Sequence, residues 1–134
     1  MPVNHRKITL VSLLVLIAAV IGMGYWLLPS GFDTDLDRVG QGRPAVVLVH
    51  DHNYVESVEL MEAVDRERGA WEEDVDFLVA DVHREEGRDF TDRHGVSAVT
   101  LLAFDGEGER IGIHTGRADV GAVRNWLDEK FGPQ

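Results

Sequence analysis

The chain of 134 residues contains no cysteine. Thiol–disulfide exchange needs a thiolate nucleophile, so dithiol oxidoreduction is excluded from the start. The absence leaves the compartment open, because disulfides are permitted outside the cytosol but not required there. Basic charge is scarce as well. All 24 acidic residues fall within Asp33 to Gln134 with only 11 of the 13 basic ones, which leaves that part at about −13. A nucleic-acid partner needs a basic surface that displaces counterions, so none is expected. The same charge disfavours laying this part flat on anionic lipid. No Gly-x-Ser-x-Gly elbow occurs, and Ser57 falls inside a predicted helix without a specified base, so a hydrolase nucleophile is not indicated. Gly106 and Gly108 precede a strand and lack a phosphate-loop lysine, which makes them a hairpin turn. There are no internal repeats, no low-complexity segment and no motif that calls for a cofactor.

What is present begins with one long apolar run. Ile8 to Leu28 is 21 uncharged, mostly apolar residues. As a helix it measures ~31 Å, enough for a bilayer core of ~30 Å. Tyr25 and Trp26 suit the headgroup level, and Pro29 is expected to stop the helix. The run exceeds the ~7–15 residues of a signal-peptide core, and no small-x-small site follows before Pro29, so a retained single-pass anchor is expected, with cleavage near Ala18-Ala19 or Gly22-x-Gly24 the minority alternative. Arg6 and Lys7 precede it, while Asp33, Asp35 and Asp37 follow. By the positive-inside rule residues 1–7 are cytoplasmic, residues 8–28 span the inner (plasma) membrane, and the remainder is periplasmic or otherwise extracytoplasmic. Ala18, Ala19, Gly22 and Gly24 form a small-residue face on which another membrane helix could pack.

Residues 29–43 read as a linker with a short amphipathic helix, Phe32 to Val39, that turns Phe32, Leu36 and Val39 inward and is capped by Asp33 or Thr34. Residues 44–132 read as the folded domain. Ala45 to Val49 is a β-branched apolar run after a Gly/Pro break, hence a buried strand. From Tyr54 to about Arg68 the pattern is helical, with Tyr54, Val58, Met61 and Asp65 on one track and Leu60 and Val64 beside it. A strand over Val75 to Val82 follows, then a short helix around Arg88 to His94 closed by Gly95. Val99 to Phe104 and Arg110 to His114 flank the turn Asp105-Gly-Glu-Gly108 as a hairpin. Asp119 caps a last helix with Val120, Val123, Leu127 and Phe131 at helical spacing. This order predicts an α/β sandwich, a central mixed sheet with helices on both faces, preceded by one transmembrane helix.

Several pieces in this order resemble the thioredoxin family, over roughly Phe32 to Phe131. They are Phe32-Asp-Thr-Asp-Leu36 as the opening segment, Pro44 to Val49 as the central strand, Arg93-His-Gly-Val96, Thr100-Leu-Leu-Ala-Phe104 with its hairpin, and Gly116 before a capped terminal helix. The resemblance places the family's Cys-x-x-Cys at Tyr54, Val55, Glu56 and Ser57, with Asn53 in place of the preceding tryptophan. It places the buried acid of thioredoxin at Leu48 and the cis-proline at Val99. A non-proline cis bond costs ~2.5–4 kcal/mol, so Ala98–Val99 is expected to be trans and its loop reshaped. The resemblance implies the fold and a contact edge, but not the activity.

The contact edge, comprising His50, His52, Asn53, Tyr54, Ala98 and Val99, is the expected partner-binding surface. Open α/β sheets place ligands just beyond the C-terminal ends of their strands, where His50-Asp51-His52 lies. In an extended chain His50 and His52 point to one side, and with Tyr54 or Glu56 they would make an alternative Zn- or Cu-type site. His83 and His114 can join only if the fold brings them there. The acidic stretch from Glu56 to Glu86 reads as solvated surface, and Trp71 and Trp126 as core or edge residues. The expectation is therefore a redox-inactive, non-enzymatic, membrane-anchored protein that acts by protein–protein contact as an accessory or assembly subunit of a membrane complex. Metal binding or delivery through His50 and His52 is the alternative.

Overall fold

The computed structural model describes residues 4–27 and 31–133, in two units, Met1–Gly31 and Phe32–Gln134. The first unit is a single helix, α1 (His5–Leu27). It is long and apolar enough to cross a membrane, and its described apolar side chains are exposed. The helix begins three residues before the apolar run, taking in His5, Arg6 and Lys7. Leu28 and the predicted stop at Pro29 lie outside the described residues.

The second unit is built on a four-stranded sheet in the order β2-β1-β3-β4. Its strands are β1 (Ala45–His50), β2 (Asp76–Asp81), β3 (Thr100–Phe104) and β4 (Arg110–Thr115). β1 pairs with β2 in parallel and with β3 antiparallel, and β3 pairs antiparallel with β4. The parallel pair needs a crossover, supplied by α2 (Val55–Arg68). α3 (Glu85–His94) and α4 (Val120–Phe131) complete the sandwich. β1 is buried over five successive residues because both its faces are covered. On one face Val46 and Leu48 meet Leu60 and Val64 of α2 and Val123, Trp126 and Leu127 of α4. On the other Val47 and Val49 meet Phe90 of α3 and, from β3, Leu102 and Phe104. The β3–β4 turn is held by Asp105, whose Oδ1 accepts from the N–H groups of Glu107 and Glu109.

Three local expectations change. Phe32 to Val39 is not one helix: Asp33 forms a parallel bridge with Leu78, and only Leu36–Arg38 makes a 3₁₀ turn, capped by Asp35. The reason is that Phe32 packs on one sheet face and Leu36 and Val39 on the other, which a single helical stripe cannot do. α2 buries Ser57, Leu60, Ala63, Val64 and Glu67, so the track through Tyr54, Val58 and Asp65 faces solvent. Its Glu67 is drawn in by Arg124 of α4, which donates to both carboxylate oxygens at 2.8 and 3.1 Å. α3 starts at Glu85 rather than near Arg88, with Gly87 inside its first turn.

Candidate functional site

The parallel register runs to His50 opposite Asp81, so the segments leaving β1 and β2 emerge side by side. Asp51 to Tyr54 forms a tight turn closed by the Tyr54 N–H on the Asp51 carbonyl at 3.1 Å. Tyr54 is the residue preceding α2, with extended backbone and no side-chain cap. The turn is pinned from beneath by Ser57. Its hydroxyl is fully buried, accepts from the Asp51 N–H at 2.9 Å and lies 2.9 Å from Nδ1 of His50. With the Asp51 N–H occupying one lone pair, the Ser57 proton is free to point at Nδ1 of a neutral imidazole. Burial pushes the His50 pKa down against the opposing Asp81 charge, in agreement with that neutral ring.

The residues expected at this edge do not act as one set. His50 is half-buried and turned inward to Ser57. Tyr54 and Val55 are exposed, at 55% and 65%, with Val58 one turn on at 39%. Glu56 instead pairs with Arg117, before α4, at 3.3 Å. His52 joins neither group: it is exposed, and its ring lies 4.5 Å from that of His83, just past β2. His83 also places Nε2 at 2.8 Å from Oδ1 of Asp51 and 3.2 Å from Nδ2 of Asn53. The His83 contact, helped by the Asn53 N–H, holds the Asp51 carboxyl below the usual range. Thus His52 groups with Asp51 and His83, not with His50. His114 is on β4, opposite Leu101 and at the far edge of the sheet, and does not take part.

On the other side of β1, the Val99 N–H donates to the Val49 carbonyl at 3.1 Å, and Val99 O accepts from Gly116 at 2.8 Å. The Ala98–Val99 bond is trans, as expected, since no described peptide bond is cis. Val99 has φ +62°, the left-handed region, which a β-branched side chain rarely occupies. Both its backbone groups are engaged and its side chain packs on the core, which is what holds it there.

No protein-family model and no curated protein sequence matches the chain. Solved structures do. An uncharacterised thioredoxin-like protein from Clostridium perfringens matches at TM-score 0.61 and 16% identity, covering 75% of this chain and 81% of its own. The fold is thioredoxin-like. Thioredoxin O2 from Arabidopsis thaliana, in its oxidised state, matches at TM-score 0.59 and 17% identity over 69% of this chain and 83% of that one. A chain from a structure of thiol resolution in yeast mitochondrial 1-Cys peroxiredoxin matches at 0.59 and 21%, over 69% and 84%. On this thioredoxin-like scaffold the turn of Asp51 to Tyr54 and the Val99 loop flank the C-terminal end of β1 from either side. The two thiol positions implied by the resemblance differ sharply: Tyr54 projects into solvent and Ser57 is sealed beneath the turn.

The sequence names Asp51 only as the residue between the two histidines and leaves His83 to the fold, which brings both to His52. A signal for them existed. A strand–helix–strand unit implies parallel neighbours, and two such strands bring the residues just past their C-terminal ends together.

Proposed function

We propose that the protein is a redox-inactive, membrane-anchored thioredoxin-like subunit that works by protein–protein contact within a membrane complex. α1 serves as a retained span with its N-terminus cytoplasmic and the folded unit on the extracytoplasmic side. The observation that carries the reading is the exposed apolar surface of Tyr54, Val55 and Val58 where a thiol pair would stand on this scaffold, in a chain with no cysteine. An aromatic ring beside two aliphatic side chains, with an otherwise acidic domain around them, has the character of an interface centre. Small residues on α1 supply a second contact inside the bilayer.

Site-specific photo-crosslinking in the native membrane tests this. A photoreactive residue at Tyr54 should join the full chain to a discrete membrane protein. One at Glu107, in the β3–β4 turn beside the opposite end of β1, should not. Equal labelling from both positions, or none from Tyr54, overturns the proposal.

A further inference from the structure

We propose that Asp51, His52 and His83 form an exchangeable binding site for a divalent cation of the zinc class. The inference is independent of the accessory-subunit reading. One carboxylate oxygen and one nitrogen from each imidazole all lie within 4.8 Å of one another. A tetrahedral zinc ion with bonds of ~2.0–2.2 Å needs its donors about 3.4 Å apart. The Asp51–His83 pair, in direct hydrogen-bond contact at 2.8 Å, opens by about 0.6 Å to admit the ion, and the remaining closure falls to His52. His52 is exposed, and the two rings, 4.5 Å apart and tilted by 44°, are not interlocked. Side-chain adjustment of the two exposed imidazoles, His52 closing and His83 drawing back from Asp51, therefore completes the set.

One ligand is rigid and two are adjustable. The Asp51 side chain is only 13% exposed. Its backbone N–H is bonded to buried Ser57, its carbonyl to Tyr54, and its Oδ1 accepts the Asn53 N–H at 2.9 Å. His83 is positioned by its own N–H on Oδ1 of Asp81 at 2.9 Å. Two imidazoles with one carboxylate are a nitrogen-dominated donor set that suits Zn²⁺ or Cu²⁺ and discriminates against Ca²⁺ and Mg²⁺, which favour all-oxygen shells. Three protein ligands at the surface leave a coordination position open to water or to a donor from elsewhere. The acidic character of the unit raises the local cation concentration. His50 is outside the set: its ring turns to Ser57 through Nδ1, and it is not among the donors that converge within 4.8 Å.

The test uses the full chain in detergent micelles, purified through a tag without histidine, stripped with chelator and titrated with Zn²⁺ against a chromophoric zinc indicator. One equivalent should bind and raise Tm, and excess Mg²⁺ should not compete. His83→Gln and His52→Gln should each weaken binding about tenfold or more while leaving the zinc-free Tm unchanged. His5→Gln, in the separate N-terminal helix, should bind as the parent does. Binding well below one equivalent, or affinity retained in His83→Gln and Asp51→Asn, overturns the site. A loss in His50→Gln equal to that in His83→Gln reassigns the ligands and overturns it equally.

Discussion

A Cβ added to Gly87 would lie 1.9 Å from the carbonyl oxygen of Asp81. The first turn of α3 is thus seated directly on the end of β2, two residues from His83 in sequence. Gly87→Ala sets two effects against each other. Helix propensity alone favours alanine by about 1 kcal/mol. The clash is between a Cβ whose position the backbone fixes and backbone atoms of Asp81, which no rotamer can relieve, and overpacking of this kind costs about 1–3 kcal/mol or more. The clash should win. A lower Tm for Gly87→Ala is the expected result. A raised Tm would show that α3 does not approach Asp81 this closely.

Val99 yields a second prediction. Proline at this position would demand φ near −65° where the chain has +62°, and would remove the N–H bonded to Val49. The unpaired carbonyl alone costs about 1–3 kcal/mol, before any backbone rearrangement. Val99→Gly relieves the left-handed strain, about 1–2 kcal/mol, but gives up side-chain packing and adds chain entropy. Val99→Gly should therefore stay close to the parent in denaturant midpoint, while Val99→Pro falls far below it. Tyr54→Cys with Ser57→Cys should accordingly produce no insulin-disulfide reduction above buffer, since one new thiol is buried and the Val99 wall is unchanged.

The parts of the fold that were legible in the sequence are those written in side-chain period. The apolar run of β1, the Asp105 hairpin and the Asp119-capped α4 each have one dominant local signal, and the structure keeps them. Gly87 hid the start of α3, because a residue poor for helix was needed for close approach to Asp81, a tertiary reason invisible locally. Asp76 alternates with Val75 and Phe77 along the strand, a pattern that reads as solvent-facing, yet it is 8% exposed because Arg38 and Arg43, distant in sequence, both reach its Oδ1. The candidate site divides the same way. Its location past the β1 end followed from topology, but the pairing of His52 with His83 depends on strand register, and the inward turn of His50 depends on one buried hydroxyl.

A third prediction concerns pH. His94 lies against Phe90 and Phe104, with ring centroids 4.4 and 5.2 Å away. Burial pushes its pKa down, and the charges of Arg93 and Arg110 add to this. Asp37 and Glu107 line the same cavity. The folded state then binds fewer protons than the unfolded state between the depressed value and the ordinary ~6.5. Stability should be complete above about pH 6.5 and decline as pH falls through the folded pKa. Carboxylates act in the same direction but lower. Asp33 is held down by the Asp35 N–H and Arg38, and Glu67 by Arg124, so their stability is lost only below the ordinary carboxylate range. In denaturation curves measured from pH 8 to 5, His94→Leu should make the decline shallower, leaving the share of His50, whose pKa burial also lowers. An unchanged slope would remove His94 from the account.

The last prediction is that α1 is a retained anchor that contributes to partner binding and places the folded unit on the extracytoplasmic side. The absence of cysteine makes the topology directly readable, since any single introduced thiol is the only one. Ser97→Cys, exposed in the folded unit, should react with a membrane-impermeant maleimide in intact cells. Asn4→Cys should react only after permeabilisation. Packing inside the bilayer is a separate question. Gly22 and Gly24 carry no side chain, so a neighbouring helix can approach the backbone closely along that stretch. Gly22→Leu adds bulk where close backbone approach is needed, without reducing the apolar character that drives insertion. The full chain should therefore copurify with its partner from mild detergent, Gly22→Leu should do so less, and a chain beginning at Gly31 least of all. If the mature protein begins downstream of Leu28, or the shortened chain binds as well as the full one, α1 only delivers the domain. Specificity would then lie wholly in the surface around Tyr54, where Tyr54→Asp, at an exposed position, should weaken association without lowering Tm.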